Sequence, residues 1–146
     1  MDQASAISAL ERIVDGNGTA VLANIDQEGL PRTRWMTPCV LRDQQGSLFA
    51  LTSADFDKRA QIGANGHVEW LVTGANREEI VRVRGNALVV DNPRLKAEIV
   101  EALGARLAMF WRVSPDPDRL VVLETVITEI SYYRPASGEK SRVAFG

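Results

Sequence analysis

The sequence predicts a mainly β protein, an antiparallel sheet curled into a barrel with helices as plugs and caps. Three observations carry that expectation. Strand-like stretches follow one another like a meander, joined by short turns such as Asp26-Gln-Glu-Gly29 and Asp43-Gln-Gln-Gly46. One stretch, Glu79 to Val90, sorts cleanly into two faces: Val81, Val83, Ala87 and Val89 on one, Arg82, Arg84 and Asn86 on the other. Helical periodicity is confined to three short segments, which suit plugs and caps of such a barrel.

The elements follow in order. Ile7, Leu10, Ile13 and Val14 recur at helical spacing over 3–15, and Asp15-Gly-Asn-Gly18 stops the run. Thr19 to Ile25 is a strand, and Leu30 to Arg42 a second. Pro31 and Pro38 cannot donate ladder hydrogen bonds, so this second strand starts late, bends or lies at an edge. Ser47 to Thr52 is the third strand, and a short helix carrying Lys58 in its first turn ends at Ala64-Asn-Gly66. His67 to Thr73 and Glu79 to Val90 are the fourth and fifth strands. Asn92-Pro93 reads as an N-cap with proline at the first helical position, opening a helix to about Leu103 with Leu95, Ile99 and Leu103 on one side. Ala105 to Trp111 continues as helix or loop. Leu120 to Tyr133 is the sixth strand, and the polar residues from Arg134 onward are expected to be loose.

The chain has 146 residues, 45% hydrophobic and 25% charged, which describes one ordinary domain over 1–146 with a sizeable core. A net charge of −2, from 17 basic and 19 acidic side chains, gives no global reason to bind nucleic acid or an anionic membrane. No apolar run approaches the roughly 18 residues of a membrane span. The start, Met-Asp-Gln-Ala-Ser, is not that of a signal peptide. One cysteine and one histidine leave no intrachain disulfide and little basis for a zinc site. A cytoplasmic protein is the expectation.

The most informative segment is Leu48 to Ile62. An apolar strand ends in the hydroxyls of Thr52 and Ser53, and a short helix follows with Lys58 in its first turn and Arg59 beside it. Strand-end hydroxyls, unpaired helix-start amides and an ammonium together make a seat for a phosphate.

Four segments in this order and spacing resemble the flavin mononucleotide (FMN)-binding split-barrel proteins related to pyridoxamine 5'-phosphate oxidase, most closely the short bacterial general stress proteins. They are Gly29-Leu-Pro-Arg-Thr-Arg-Trp-Met36; Leu48 to Ile62 with Asn65-Gly-His-Val68; Arg82-Val-Arg-Gly85 with Asp91-Asn-Pro93; and Asp116-Pro-Asp118 with Ser131-Tyr-Tyr133. The resemblance spans about residues 7 to 135. It implies a six-stranded antiparallel split β-barrel and a homodimer with FMN in a cleft between subunits. By the same likeness Lys58 would bind the flavin phosphate, and Thr52 and Ser53 would approach the phosphate or ribityl chain. Arg34 would stand beside the flavin, Trp35, Met36 and Thr37 would run their backbone along the ring, and Tyr133 would reach the cofactor from the other subunit.

Each assignment has a plain alternative. Lys58 is otherwise a solvated helix lysine, and Arg59 is a rival phosphate partner because arginine bonds phosphate through a fork. Arg34 is otherwise a surface charge on an edge strand; Arg32, one alternation away on the same face, has the weaker claim. Tyr133 is otherwise an aromatic closing the barrel end. Trp111 either lines the substrate side of the ring or plugs the core, and Trp70 reads as packing. His67 is an ordinary strand-start residue and Cys39 a buried small apolar one. Gly85, inside a strand, marks a bulge or close approach, while Arg82 and Arg84 face a dimer partner or solvent.

Three functions remain open at this point. The first is an FMN-dependent oxidoreductase acting on a small molecule, with the flavin supplying the redox chemistry. The second is the same fold with a deazaflavin or haem, although His67 is the only histidine for an axial ligand. The third is a non-enzymatic flavin-binding stress protein, or a barrel that has lost its cofactor.

Overall fold

The structure, a computed structural model, is described over residues 1–17, 20–53, 57–107 and 119–146, without the side chains of 17, 57–59, 105 and 107. Its elements are α1 (Gln3–Asn17), β1 (Ala20–Ile25), β2 (Pro31–Met36), β3 (Pro38–Cys39), β4 (Ser47–Ser53), α2 (Asp57–Ala64), β5 (His67–Thr73), β6 (Ile80–Val90), α3 (Pro93–Leu103), β7 (Leu120–Arg134) and β8 (Glu139–Ala144). Short 3-10 turns occupy Ala75–Arg77 and Gly104–Leu107.

The strands form one antiparallel sheet in the order β2-β1-β5-β6-β7-β4-β3, with β8 paired to β7. β2 and β3 lie at opposite edges of that path, yet Thr37 alone joins them. Two residues of backbone reach about 7 Å, so the sheet must curl until its two edges meet. That closure makes the split barrel. It also explains both prolines, because Pro31 and Pro38 each open an edge strand, where a missing N–H costs no ladder bond.

Among the described residues eight strands stand where six were expected. The stretch Leu30 to Arg42 is two strands, broken at Thr37 as the chain passes from one edge to the other. The tail beyond Arg134 is not loose. Gly138 takes a left-handed φ of 72°, its N–H bonds the Arg134 carbonyl at 2.9 Å, and β8 returns along β7. Only Val143 of β8 is buried, which is why a composition-based reading passed over it.

Two cores lie on the two faces of the sheet. Inside the barrel, Leu22, Leu48, Ala50, Trp70, Val83 and Ile130 pack beneath α1 and its Leu10 and Ile13. On the outside, Phe49, Leu51, Cys39 and Val122 pack against Leu95, Ile99 and Leu103 of α3. β4 is therefore buried on both faces, and its continuous apolar run reflects that position. Each large apolar side chain buried this way contributes roughly 1.5–3 kcal/mol. Burial also pushes the Cys39 thiol up to about 12, leaving it protonated and inert at neutral pH.

Between β6 and β7 the register shifts at Arg84/Gly85, where Glu129 pairs with Arg84 and Ile127 with Gly85, leaving Thr128 as the extra residue. The Thr128 hydroxyl donates to the Arg84 carbonyl at 3.2 Å. A Cβ on Gly85 would stand 2.3 Å from the Val126 carbonyl oxygen, so both readings of this glycine, bulge and close approach, hold. Trp70 is fully buried and donates from Nε1 to Thr125 Oγ1 at 3.0 Å, a packing residue with its one polar atom satisfied. Among the described residues no helix is long and apolar enough to cross a membrane, and no cluster of metal-ligating side chains occurs.

Candidate functional site

β4 ends in Thr52, buried, and Ser53, half-buried. α2 is the next element in the chain, with Lys58 and Arg59 at its second and third positions. The side chains of these two residues lie outside the described ones, as does all of Trp111. What is described is how α2 is held. Ile62 enters the barrel core, Asn65 N–H closes the last turn on the Gln61 carbonyl at 2.9 Å, and the Asn65 side chain accepts from His67 N–H at 3.0 Å.

Gln61 links α2 to the β1–β2 ladder. Asn24, 1% exposed at the inward end of β1, donates from Nδ2 to Gln61 Oε1 at 2.9 Å. Its Oδ1 accepts from Nη2 of Arg34 at 3.1 Å. Arg34 is half-buried on the inward face of β2, opposite Leu22 of β1. The fold thus joins Arg34 to the helix that bears Lys58, whose backbone position lies one turn, about 4.5 Å of rise, before Gln61. Arg32 is engaged elsewhere: its Nε donates to Asp26 Oδ2 at 2.7 Å. The other Asp26 oxygen accepts from the Glu28 and Leu30 amides, both at 2.9 Å. The Leu30 amide first, then Arg32 and the Glu28 amide, hold the Asp26 carboxyl below its usual range and brace the turn into β2.

The rest of the β2 segment divides by face. Met36 packs its side chain in the core and pairs with Ala20 of β1, and Thr37 is the half-buried joint to β3. Trp35 points the other way and is 76% exposed on the outer face, beside Val21 and Leu71 in the cross-strand row.

Tyr133 does not join this group within one chain. Ser53 pairs with Leu120 at the start of β7, and Tyr133 stands 13 residues later, ~40 Å along the strand. There it is half-buried under the Lys140 ammonium, 5.1 Å from the ring centroid, in an outer groove lined by Arg82, Arg84 and Arg142. Within that groove Arg84 pairs with Glu69 and Arg142 with Glu129. His67 is exposed at the start of β5.

Asn24 and Gln61 were not singled out from sequence. Asn24 left a signal, since Ala20, Leu22 and Asn24 share the inward face of an alternating strand, where an amide is out of place unless bonded. Gln61 left none, because a glutamine on a short helix is unremarkable.

The sequence profile of pyridoxamine 5'-phosphate oxidase matches residues 7–134. The chain belongs to the pyridoxamine 5'-phosphate oxidase family. Among solved structures of the same fold, general stress protein 26 of Bacillus anthracis matches with a TM-score of 0.71 at 20% identity, covering 94% of this chain and 96% of that one. A pyridoxamine 5'-phosphate oxidase-related, FMN-binding protein of Nostoc punctiforme gives 0.65 at 17% identity, with coverages of 97% and 95%. A heme-binding protein of Mycobacterium smegmatis gives 0.72 at 14% identity, covering 95% of this chain but 57% of that one. At such identities the likeness speaks for the fold alone. No curated protein sequence is significantly similar.

Proposed function

We propose that this member of the pyridoxamine 5'-phosphate oxidase family is a cytoplasmic FMN-binding protein, formed as a single domain, that works as a flavin-dependent oxidoreductase on a small molecule. The observation that carries the reading is the bond from Arg34 through Asn24 to α2. It brings Arg34 and α2 together, with Thr52 and Ser53 leading into that helix, an arrangement that suits a cation beside the ring and a helix at the phosphate. Lys58, with Arg59 beside it, holds the phosphate, and the backbone of Trp35, Met36 and Thr37 runs along the ring. When bound, the flavin supplies the electron transfer; the chain supplies binding and orientation.

The site is completed in a homodimer. Tyr133, ~40 Å along β7 from the Ser53 end of one chain, reaches the flavin only as Tyr133 of the partner subunit. The exposed Trp35 face supports such an interface. Trp111 belongs to the substrate side of the ring.

Protein reconstituted with FMN and desalted is expected to keep the yellow flavin absorption, and a colourless sample overturns the reading. Lys58→Ala is expected to weaken FMN binding by about 10- to 100-fold, as loss of a charge-assisted bond does, with riboflavin little affected because it lacks the phosphate. Equal loss of both ligands would make Lys58 structural. The heme-binding structure of the same fold favours haem as the second reading, with His67 as ligand. In that case haemin, not FMN, would survive desalting, with a Soret band that His67→Ala abolishes.

A further inference from the structure

We infer that Asn24 is a positioning residue that locks the Arg34 guanidinium and helix α2 into one unit, presetting the distance between the two ends of the cofactor site. An apolar residue at 24 would complete the inward stripe of Ala20 and Leu22, and the barrel places an amide there instead, 1% exposed. A buried amide is tolerated only when its polar atoms are bonded, and both atoms of Asn24 are: Oδ1 by Arg34 at 3.1 Å, Nδ2 by Gln61 at 2.9 Å. The orientation follows from chemistry. A guanidinium only donates, so Oδ1 must face Arg34, which turns Nδ2 toward α2. Asparagine therefore joins a donor-only cation to a helix, which leucine at this position would not. Gln61 sits one turn from Lys58, and Ile62 beside it is sunk in the core, so holding Gln61 holds the first turn of the helix.

Binding follows from this arrangement. A site whose two anchors are already spaced loses less ordering entropy when the ligand arrives. The inference rests on the FMN reading for the identity of the ligand. The clamp itself is a property of the protein alone.

Two variants test it, Asn24→Leu and Gln61→Ala, each compared with the native chain by backbone hydrogen exchange without flavin and by FMN and riboflavin titration. Exchange of the 57–64 amides is expected to speed up in both variants, while the β5–β6 amides keep their protection. Gln61→Ala is expected to raise the FMN dissociation constant about fivefold and leave riboflavin within about twofold, the loss of one neutral hydrogen bond at the phosphate end. Asn24→Leu, which also removes the bond to Arg34 Nη2, is expected to weaken both ligands by about tenfold or more. Unchanged exchange over 57–64 in both variants overturns the clamp, whether or not flavin binds. Faster exchange with native affinities for both ligands overturns its role in the site. If exchange responds but the native chain holds no FMN, the clamp stands and the FMN reading falls. Gln61 is half-buried on a helix surface, so its variant keeps the test open if Asn24→Leu does not fold.

Discussion

Glu79 accepts both terminal nitrogens of Arg12 at 2.7 Å and the Tyr132 hydroxyl at 2.6 Å, tying α1 to the far end of the barrel. The Arg12 bonds first, then Tyr132, pull its carboxyl down to about 2 from the ordinary 4.5. A carboxylate lowered on folding stabilises the fold fully above its unfolded value, and that stability is lost as pH falls through the folded one. The stability gap between the native chain and Glu79→Gln, read from urea midpoints, is therefore expected to be widest near neutral pH and to close toward pH 2. A gap that stays constant into acid would mean the charge is not its source. None of this was legible in the sequence, where Arg12, Glu79 and Tyr132 are far apart. Trp70 was legible, because a tryptophan in mid-strand between Glu69 and Leu71 has few places to go but the core. Asn24 fell between, its inward position readable from alternation but not its partners.

At the scale of elements, local chemistry predicts well where the determinants are local. Asn92 caps α3 by accepting from the Arg94 and Leu95 amides, both at 3.1 Å, with Pro93 at the first helical position. Asn92→Ala is expected to cost about 1 kcal/mol in chemical denaturation; no change in midpoint would mean that water or a neighbour replaces the cap. The same helix shows its buried stripe, Leu95, Ile99 and Leu103, in plain 3.6-residue spacing. β8 and the break at Thr37 were not legible. β8 has one buried side chain and is stabilised by its ladder to β7, a long-range partner. β2 and β3 divide because the chain changes edges there, a matter of closure that no local pattern records.

For the whole molecule, curling the sheet turns one face inward and leaves Trp35 76% exposed and Leu71 37% exposed in the same cross-strand row of the outer face. The proposed dimer interface falls on this row of exposed aromatic and aliphatic neighbours. Trp35→Glu is expected to fold normally, since little of the side chain is buried, but to sediment as a monomer and lose flavin on desalting. A native chain that is itself monomeric would remove the interfacial site. A Trp35→Glu dimer that keeps its flavin would place the interface elsewhere. The length of β7 sets Tyr133 far from the Leu120 end that pairs with Ser53, so a site containing both needs two chains.

The sequence by itself determined the β-rich class, the α3 cap, the apolar strand β4, the bulge or close approach at Gly85 and the strand-to-helix segment that carries Thr52, Ser53 and Lys58. These depend on periodicity, capping and composition, all written within a few residues. Only the tertiary structure decided that β2 and β3 close the barrel across Thr37, that Asn24 joins Arg34 to Gln61, and that Glu79 gathers Arg12 and Tyr132. Each of those pairs residues distant in the chain, and such contacts depend on strand order and register, which hydrophobic patterning leaves open.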